Sequence, residues 1–210
     1  MKLIYNKNET FSFIEVGALH GNDSKYVKKI FNNSNVHCIE GLKENFDKFL
    51  NEENMNINTH NTCISNIDGN IIFYPKEDGL SGISGIYDRG KIYGTDERIV
   101  QTMKLSTFCN NNNIKSIDSI KIDVEGATYD VLKSMGDDLL KSIKIMHIET
   151  EDYAFFQNQK LKSDVEKILK DNFTLLLTFS YHPQIEGKQY DEIWINKNIF
   201  DNFCDKLSAI

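Results

Sequence analysis

No apolar run in this sequence approaches the roughly 20 residues that a membrane-crossing helix needs. The opening MKLIYNKNET carries no apolar stretch of the kind a secretory leader shows, so a cytoplasmic location is the expectation. There are only two prolines, no Pro/Ser-rich linker and no internal repeat, so one domain over 1–210 is expected. The four cysteines, Cys38, Cys63, Cys109 and Cys204, form no C-x-x-C pair, which disfavours a zinc module and a disulfide scaffold alike. Positive charge is in the minority: 24 Lys and Arg stand against 31 Asp and Glu, a net charge of -7. Duplex nucleic acid is therefore disfavoured as a main partner, because phosphate binding calls for a basic face.

What the chain does have is alternation. FSFIEVG (11–17) reads as a buried strand, followed by a helix at 23–32 with Tyr26, Val27, Ile30 and Phe31 on one face. NVHCIE (35–40) is a second strand, 42–53 a second helix striped by Leu42, Phe46, Phe49 and Leu50, and 56–65 a weaker third strand. A turn and outer strand at 68–75 lead into a glycine-rich stretch, 76–97, which reads as a lid or substrate loop. Strand 98–105, a short helix from Ser106, strand 116–126, helix 127–135, strand 142–150, helix 153–170 and strands 173–180 and 191–196 complete the chain. This order implies an α/β fold, a doubly wound and mostly parallel sheet with helices on both faces. Ligands in such sheets bind beyond the carboxyl ends of the strands, which directs attention to 15–21, 40–42, 63–66, 123–126, 149–153 and 180–190.

The first of these segments departs from a dinucleotide loop. A G-x-G-x-x-G fingerprint has a middle glycine; here Leu19 stands in its place, between Gly17 and Gly21. That substitution argues against a pyrophosphate on the helix start. Glu15 would repel phosphate and attract an ammonium group, while Glu40, ending the second strand, is placed to accept two ribose hydroxyls. A ribose, an adenine, no phosphate and an amino-acid tail together describe S-adenosylmethionine, which becomes S-adenosylhomocysteine after transfer. On this reading Gly17 and Ala18 let the tail approach the backbone, and amides from Gly21 to Ser24 receive its carboxylate. Gly41, Leu42, Cys63 and Ile64 would surround the adenine.

Four segments in order, FIEVGALHGNDS, VHCIEGLKENFDKFL, MKLSTFCNNNNIKSIDSIKIDVEGATYDVLKSM and IMHIETE, resemble the FkbM family of S-adenosylmethionine-dependent methyltransferases, over about 11–196. The block K-x-D-x-E-G is the most specific of these. The family usually has Asp at the position of Glu15, T-L-D at Lys104-Leu105-Ser106 and a second Glu at Thr128. The resemblance implies a class I methyltransferase (Rossmann-like) sheet of seven strands, the last antiparallel. It also implies methyl transfer to a hydroxyl of a sugar or another small molecule.

An alcohol acceptor benefits from a base, and the candidates are Asp123, Glu149 and His182, with Asp123 also beside the cofactor. Arg89, Lys121 and Glu125 are candidate substrate contacts, and Lys121 can hold Asp123 ionised or pair with Glu149. His147, inside a strand, reads as a satisfied core histidine. Asp123, Glu125, Glu149, Glu151 and Asp152 have the oxygen chemistry of hard cations, but no metal site is assigned and a divalent metal is not expected. The alternatives are an RNA-cap or nucleotide methyltransferase, N-methylation (disfavoured by DVEG where N/D-P-P-Y is usual), a dehydrogenase and a non-catalytic cofactor-binding partner subunit.

Overall fold

The computed structural model describes residues 1–50, 56–76, 82–88, 90, 96–180 and 188–209. Seven strands build the main sheet: β1 (Ser12–Val16), β2 (Asn35–Glu40), β3 (Asn58–Asn61), β7 (Ser119–Ile122), β8 (Ile145–Glu151), β9 (Phe173–Phe179) and β10 (Gln189–Asn196). Their order is β3-β2-β1-β7-β8-β10-β9. Five neighbouring strands run parallel, and β10 is antiparallel to both β8 and β9. The strand order reverses between β1 and β7, so a crevice opens at their carboxyl ends.

The sheet forms because its central strands are apolar on both faces, as a helix-covered parallel sheet requires. Ile14, Ile120, Ile122 and Ile148 are fully buried in one core with Leu105, Phe108, Val131 and Leu132. Each such side chain stabilises the fold by roughly 1.5–3 kcal/mol. A second cluster, of Tyr5, Phe11, Phe13, Val27 and Phe31, seats α1 (Asn22–Ile30) on the sheet. Among the described residues, no helix is long and apolar enough to cross a membrane.

Several elements differ from the sequence expectation. The strand expected over 56–65 is two: β3 stays in the main sheet, while β4 (Cys63–Ile64) leaves it at Thr62. β4 joins β5 (Gly69–Phe73) and β6 (Arg98–Met103) in a small sheet of order β4-β6-β5. The helix expected over 153–170 begins only at Lys162 in α6 (Lys162–Leu169). Asn158 takes a left-handed φ of 65°, and the Gln159 side chain accepts the N–H groups of Phe155 and Phe156 at 2.9 and 3.3 Å, which a helix would have used internally. The strand expected to 126 ends at Ile122, leaving 123–126 as a turn with Glu125 and Gly126 at φ 54° and 89°. Four helices lie near their expected places: α1, α2 (Lys43–Phe49), α3 (Leu105–Asn111) and α4 (Thr128–Lys133). Two were not expected, α5 (Asp137–Ser142) and α7 (Lys197–Ser208), the latter capped by Asn196 Oδ1 on the Asn198 N–H at 3.0 Å.

Candidate functional site

Gly17 ends β1 where the chain must bend away beneath its neighbour. Its φ is 79°, and a Cβ there would lie 1.7 Å from the Asp123 carbonyl oxygen. The glycine is thus demanded by the crossing of β1 and β7, not by passage of a ligand tail. Both the Gly17 and Ala18 N–H groups then bond to the Ile39 carbonyl at 3.0 Å. Two residues on, Leu19 adopts φ 46°, a left-handed conformation that costs a non-glycine residue ~1–2 kcal/mol. The chain keeps a glycine-like backbone at this position with a leucine in it. What holds it is Glu40: Oε2 accepts the Leu19 N–H and Oε1 the Leu42 N–H, both at 2.9 Å. Burial pushes the Glu40 carboxyl above its usual pKa, opposed by these two amides and by Asn45.

A cleft opens here at the carboxyl ends of β1, β2 and β7. Glu40 and Asn45 supply polar atoms on one side, and Ile39, Cys63, Ile64, Phe73 and Ile86 make an apolar slot. Gly41 sits against that slot, since a Cβ on it would approach Cys63 and Phe73 to 3.3 Å. Gly17, Leu19, Asp123 and Val124 close the far end. Asn45 is nearly fully buried, and its Oδ1 has no hydrogen-bond partner among the described residues. An orphaned acceptor in a cleft wall is a place for a ligand donor.

Of the expected site residues, Gly17, Glu40, Gly41, Cys63, Ile64 and Asp123 line this cleft; Glu15, Ala18, Gly21, Ser24 and Leu42 do not. Glu15 is 2% exposed, and its Oε2 accepts the Ser24 N–H at 2.8 Å. It therefore caps the first turn of α1 from below, and meeting an ammonium group is not its role in this geometry. Gly21, at φ 63°, packs against Leu50 and Cys38 instead of facing the cleft. Ala18 is buried beside the same pair, and Leu42 packs with Cys63 and Phe73.

Burial pushes the Glu15 carboxyl from 4.5 up to about 7, against the opposing Ser24 hydrogen bond. A carboxyl raised in the folded state contributes its stability fully below its ordinary pKa and loses it as pH rises through 7. Glu15→Gln keeps an oxygen for Ser24 and removes the charge. The variant should match wild type near pH 4.5 and exceed it at pH 8 by up to about 3 kcal/mol. Urea denaturation at the two pH values checks this; parallel pH profiles for the two proteins would refute it.

Acidic residues converge beside the Gly17–Asp123 end of the cleft. Asp123, Glu125 and Glu149 each bring one carboxylate oxygen within 4.8 Å of the others. Glu149 lies near the end of β8, with Oε2 buried and without a hydrogen-bond partner among the described residues. Burial, then Asp123 and Glu125, hold its carboxyl well above the usual range. Lys121 does not pair with Glu149. Its Nζ reaches Asp23 at 2.8 Å and Asp123 at 3.3 Å. Burial would lower the Lys121 pKa, but Asp123 and Asp23 outweigh it and raise it. Lys121 thus pairs with Asp123, which lies two residues on from it. His147 is satisfied by Asp191 at 2.8 Å.

Arg89 and His182 lie outside the described residues, as do 77–81 and 91–95 of the expected lid. Its described part, 82–88, contributes Gly82, Ser84, Gly85 and Ile86 to the cleft. Gly85 pairs with Tyr74, and the Tyr87 hydroxyl donates to Asp130 at 2.5 Å, which fastens this segment to α4.

Residues the sequence reading missed are Leu19, Asn45, Phe73 and Ile86. Asn45 had a signal: it sits three residues after Leu42, where the apolar stripe of α2 would continue.

The sequence matches the family described as "Methyltransferase FkbM domain" over residues 15–181. None of the curated proteins matches it. Among solved structures, the fold is similar to the Methanococcus jannaschii fibrillarin pre-rRNA processing protein, with TM-score 0.53 and 12% identity over 92% of this chain and 69% of that one. M. capricolum TrmK, solved with S-adenosyl-homocysteine, gives TM-score 0.45 and 15% identity over 91% of this chain and 64% of that one. Magnesium protoporphyrin IX methyltransferase from Synechocystis PCC 6803, also with S-adenosyl-homocysteine bound, gives 0.47 and 10% over 91% and 76%. At these identities the likeness is one of fold.

Proposed function

The chain belongs to the FkbM methyltransferase family, and on that premise we propose that it methylates a hydroxyl oxygen of a small, carbohydrate-like acceptor, with S-adenosylmethionine as donor. The fold is the class I methyltransferase fold, and S-adenosylmethionine is the cofactor of such enzymes. The residues of the cleft fit that cofactor. Glu40 offers two carboxylate oxygens to ribose hydroxyls, each oxygen fixed in place by a backbone amide. The apolar slot of Ile39, Cys63, Ile64, Phe73 and Ile86 suits an adenine ring, with Asn45 Oδ1 open to a donor. The tail falls to the Gly17–Asp123 end.

The observation that carries the O-methyl reading is the convergence of Asp123, Glu125 and Glu149 beside that end. When bound, the cofactor supplies a methyl carbon on a positively charged sulfur. The chain's task is to hold an oxygen in line with that bond and to take its proton. Glu149 is suited to the second duty, because burial and the neighbouring carboxylates raise its proton affinity. When an acceptor hydroxyl is methylated, this carboxylate would take its proton. Asp123, held in place by Lys121, orients the acceptor. The segment about 76–97 acts as the lid over the acceptor.

The test is transfer of labelled methyl to a panel of glycans, nucleosides and amines. Label in a base-stable ether on a glycan is the expected result. Label on nitrogen, or on nucleosides alone, would overturn the reading.

A further inference from the structure

We propose that Asp130 is a positioning residue for the cofactor cleft: through the Tyr87 hydroxyl it latches the segment 82–88 down across the cleft, and the adenosyl group enters only when that bond is broken. The inference rests on the methyltransferase reading for the ligand that enters, but not for the latch itself.

The cleft is narrow for such a ligand. Its free volume is about 50 Å³, whereas clefts that take small molecules run to ~300–1,000 Å³. The segment 82–88 is what narrows it, since Gly82, Ser84, Gly85 and Ile86 all line the cleft. It rests on both rims. A Cβ on Gly82 would lie 3.3 Å from Leu19 Cδ2, and one on Gly85 would lie 3.4 Å from the Glu125 carbonyl oxygen. Gly85 is buried there. Glu40, Asn45 and the Gly17–Asp123 end therefore lie beneath a roof, and a nucleoside reaches them only when the roof rises.

The ties that hold this roof are of two kinds. Gly85 and Tyr74 exchange backbone bonds at 2.8 and 3.3 Å, and the Lys76 N–H donates to Ser84 Oγ at 3.0 Å. Both partners follow β5, so these ties travel with the small sheet and do not join the roof to the main fold. The Tyr87 hydroxyl does, by donating to Asp130 Oδ2 at 2.5 Å. Asp130 stands on α4, is 7% exposed and does not itself line the cleft. Its other oxygen accepts Asn66 Nδ2 at 2.7 Å, so one carboxylate ties the roof and the base of the small sheet to the same helix. The Tyr87 ring stacks on Phe156, with centroids 6.3 Å apart, which aims the hydroxyl.

The sign of the effect follows from which state makes the bond. A hydrogen bond to a carboxylate is stronger than one between neutral groups, and here it belongs to the lowered roof. A ligand that fits only beneath the raised roof is weakened by the fraction of chains in which the roof is down. Removing the Tyr87 hydroxyl raises the open fraction, so the cofactor binds more tightly. A residue that merely supports the cleft wall would do the reverse when removed.

The experiment is calorimetric titration of the full chain with S-adenosylhomocysteine, alongside hydrogen exchange read by mass spectrometry without ligand. Tyr87→Phe should bind about tenfold more tightly than wild type, and Asp130→Ala at least as tightly as Tyr87→Phe. The double variant should gain nothing over Asp130→Ala, because the two residues share one bond. Tyr26→Phe, exposed on α1, should match wild type. Peptides spanning 82–88 should exchange about tenfold faster in Tyr87→Phe, while those of β1 and β7 keep their protection and so report an intact fold. Affinity in Tyr87→Phe equal to or weaker than wild type overturns the latch, and so does unchanged exchange at 82–88. Faster exchange at 82–88 with no S-adenosylhomocysteine uptake by any of these proteins upholds the latch and counts against the cofactor reading instead.

Discussion

Replacing Gly17 by alanine is expected to cost the fold ~4 kcal/mol or more, an effect at the far end of what single substitutions do. Two penalties add. The backbone at φ 79° disfavours any side chain, and the added carbon would stand 1.7 Å from the Asp123 carbonyl oxygen and 2.7 Å from its carbon. That neighbour is backbone, so it cannot rotate away. The end of β7 must shift, and with it the Asp123 N–H bond to the Val16 carbonyl at 3.0 Å. For a domain of this size each kcal/mol moves the melting midpoint by roughly 2–4 °C, so a fall of about 10 °C or complete loss of folding is expected. Gly136→Ala is the control. Its φ is 75° but nothing lies within 4 Å of the new carbon, so it pays strain alone, on the order of 1–3 kcal/mol. Equal destabilisation by the two variants would show that the close crossing of β1 and β7 contributes nothing.

Glu40→Ala is expected to weaken cofactor affinity by about 1–3 kcal/mol, a factor of roughly 5 to 150, through the lost charge-assisted bonds. The loss has a second component. Without the carboxylate, the N–H groups of Leu19 and Leu42 lose their acceptor, and Leu19 loses what holds it at φ 46°. Glu40→Gln separates the two: an amide can still accept from one of these N–H groups but carries no charge. Calorimetry with S-adenosylhomocysteine should rank wild type first, Glu40→Gln next and Glu40→Ala last. Undiminished affinity in Glu40→Ala would remove Glu40 from the ribose.

The α/β class and the edge of the sheet that carries the cleft followed from features a sequence displays locally. Period and run length separated most helices from strands, and βα alternation put the acids of 123–126 and 149–151 at strand ends. The place of Glu40 in the cleft wall was legible because it closes an apolar strand at the carboxyl edge of the sheet. Glu15 was misread for the same reason: an acid in an apolar strand looked like a ligand contact. Its partner is a backbone N–H nine residues on, and backbone amides leave no mark in a sequence. Leu19 was half legible. Its identity ruled out the glycine pattern, but its left-handed backbone is held by a carboxylate 21 residues away. The small sheet was illegible because its pairing is long-range: Cys63 meets Thr102, 39 residues on, with no local period to announce it. The non-helical 153–161 depended on one amide side chain, Gln159, whose alternative use of two N–H groups no propensity scale contains.

The small sheet begins and ends at a narrow neck. Ser65 N–H bonds to the Met103 carbonyl at 3.1 Å, and the Ser65 and Thr102 hydroxyls meet at 2.7 Å. The intervening segment, which carries β5 and β6, therefore has its two ends joined to each other. Lengthening a closed loop costs little, about 0.6 kcal/mol for each doubling. Changes of length between these joined ends therefore leave Glu40, Gly17 and the β1–β7 crossing as they are. The small sheet thus hangs from the main fold at one hydrogen-bonded neck, and a chimera cut at Ser65 and Met103 would exchange what lies between without touching the β1–β7 crossing.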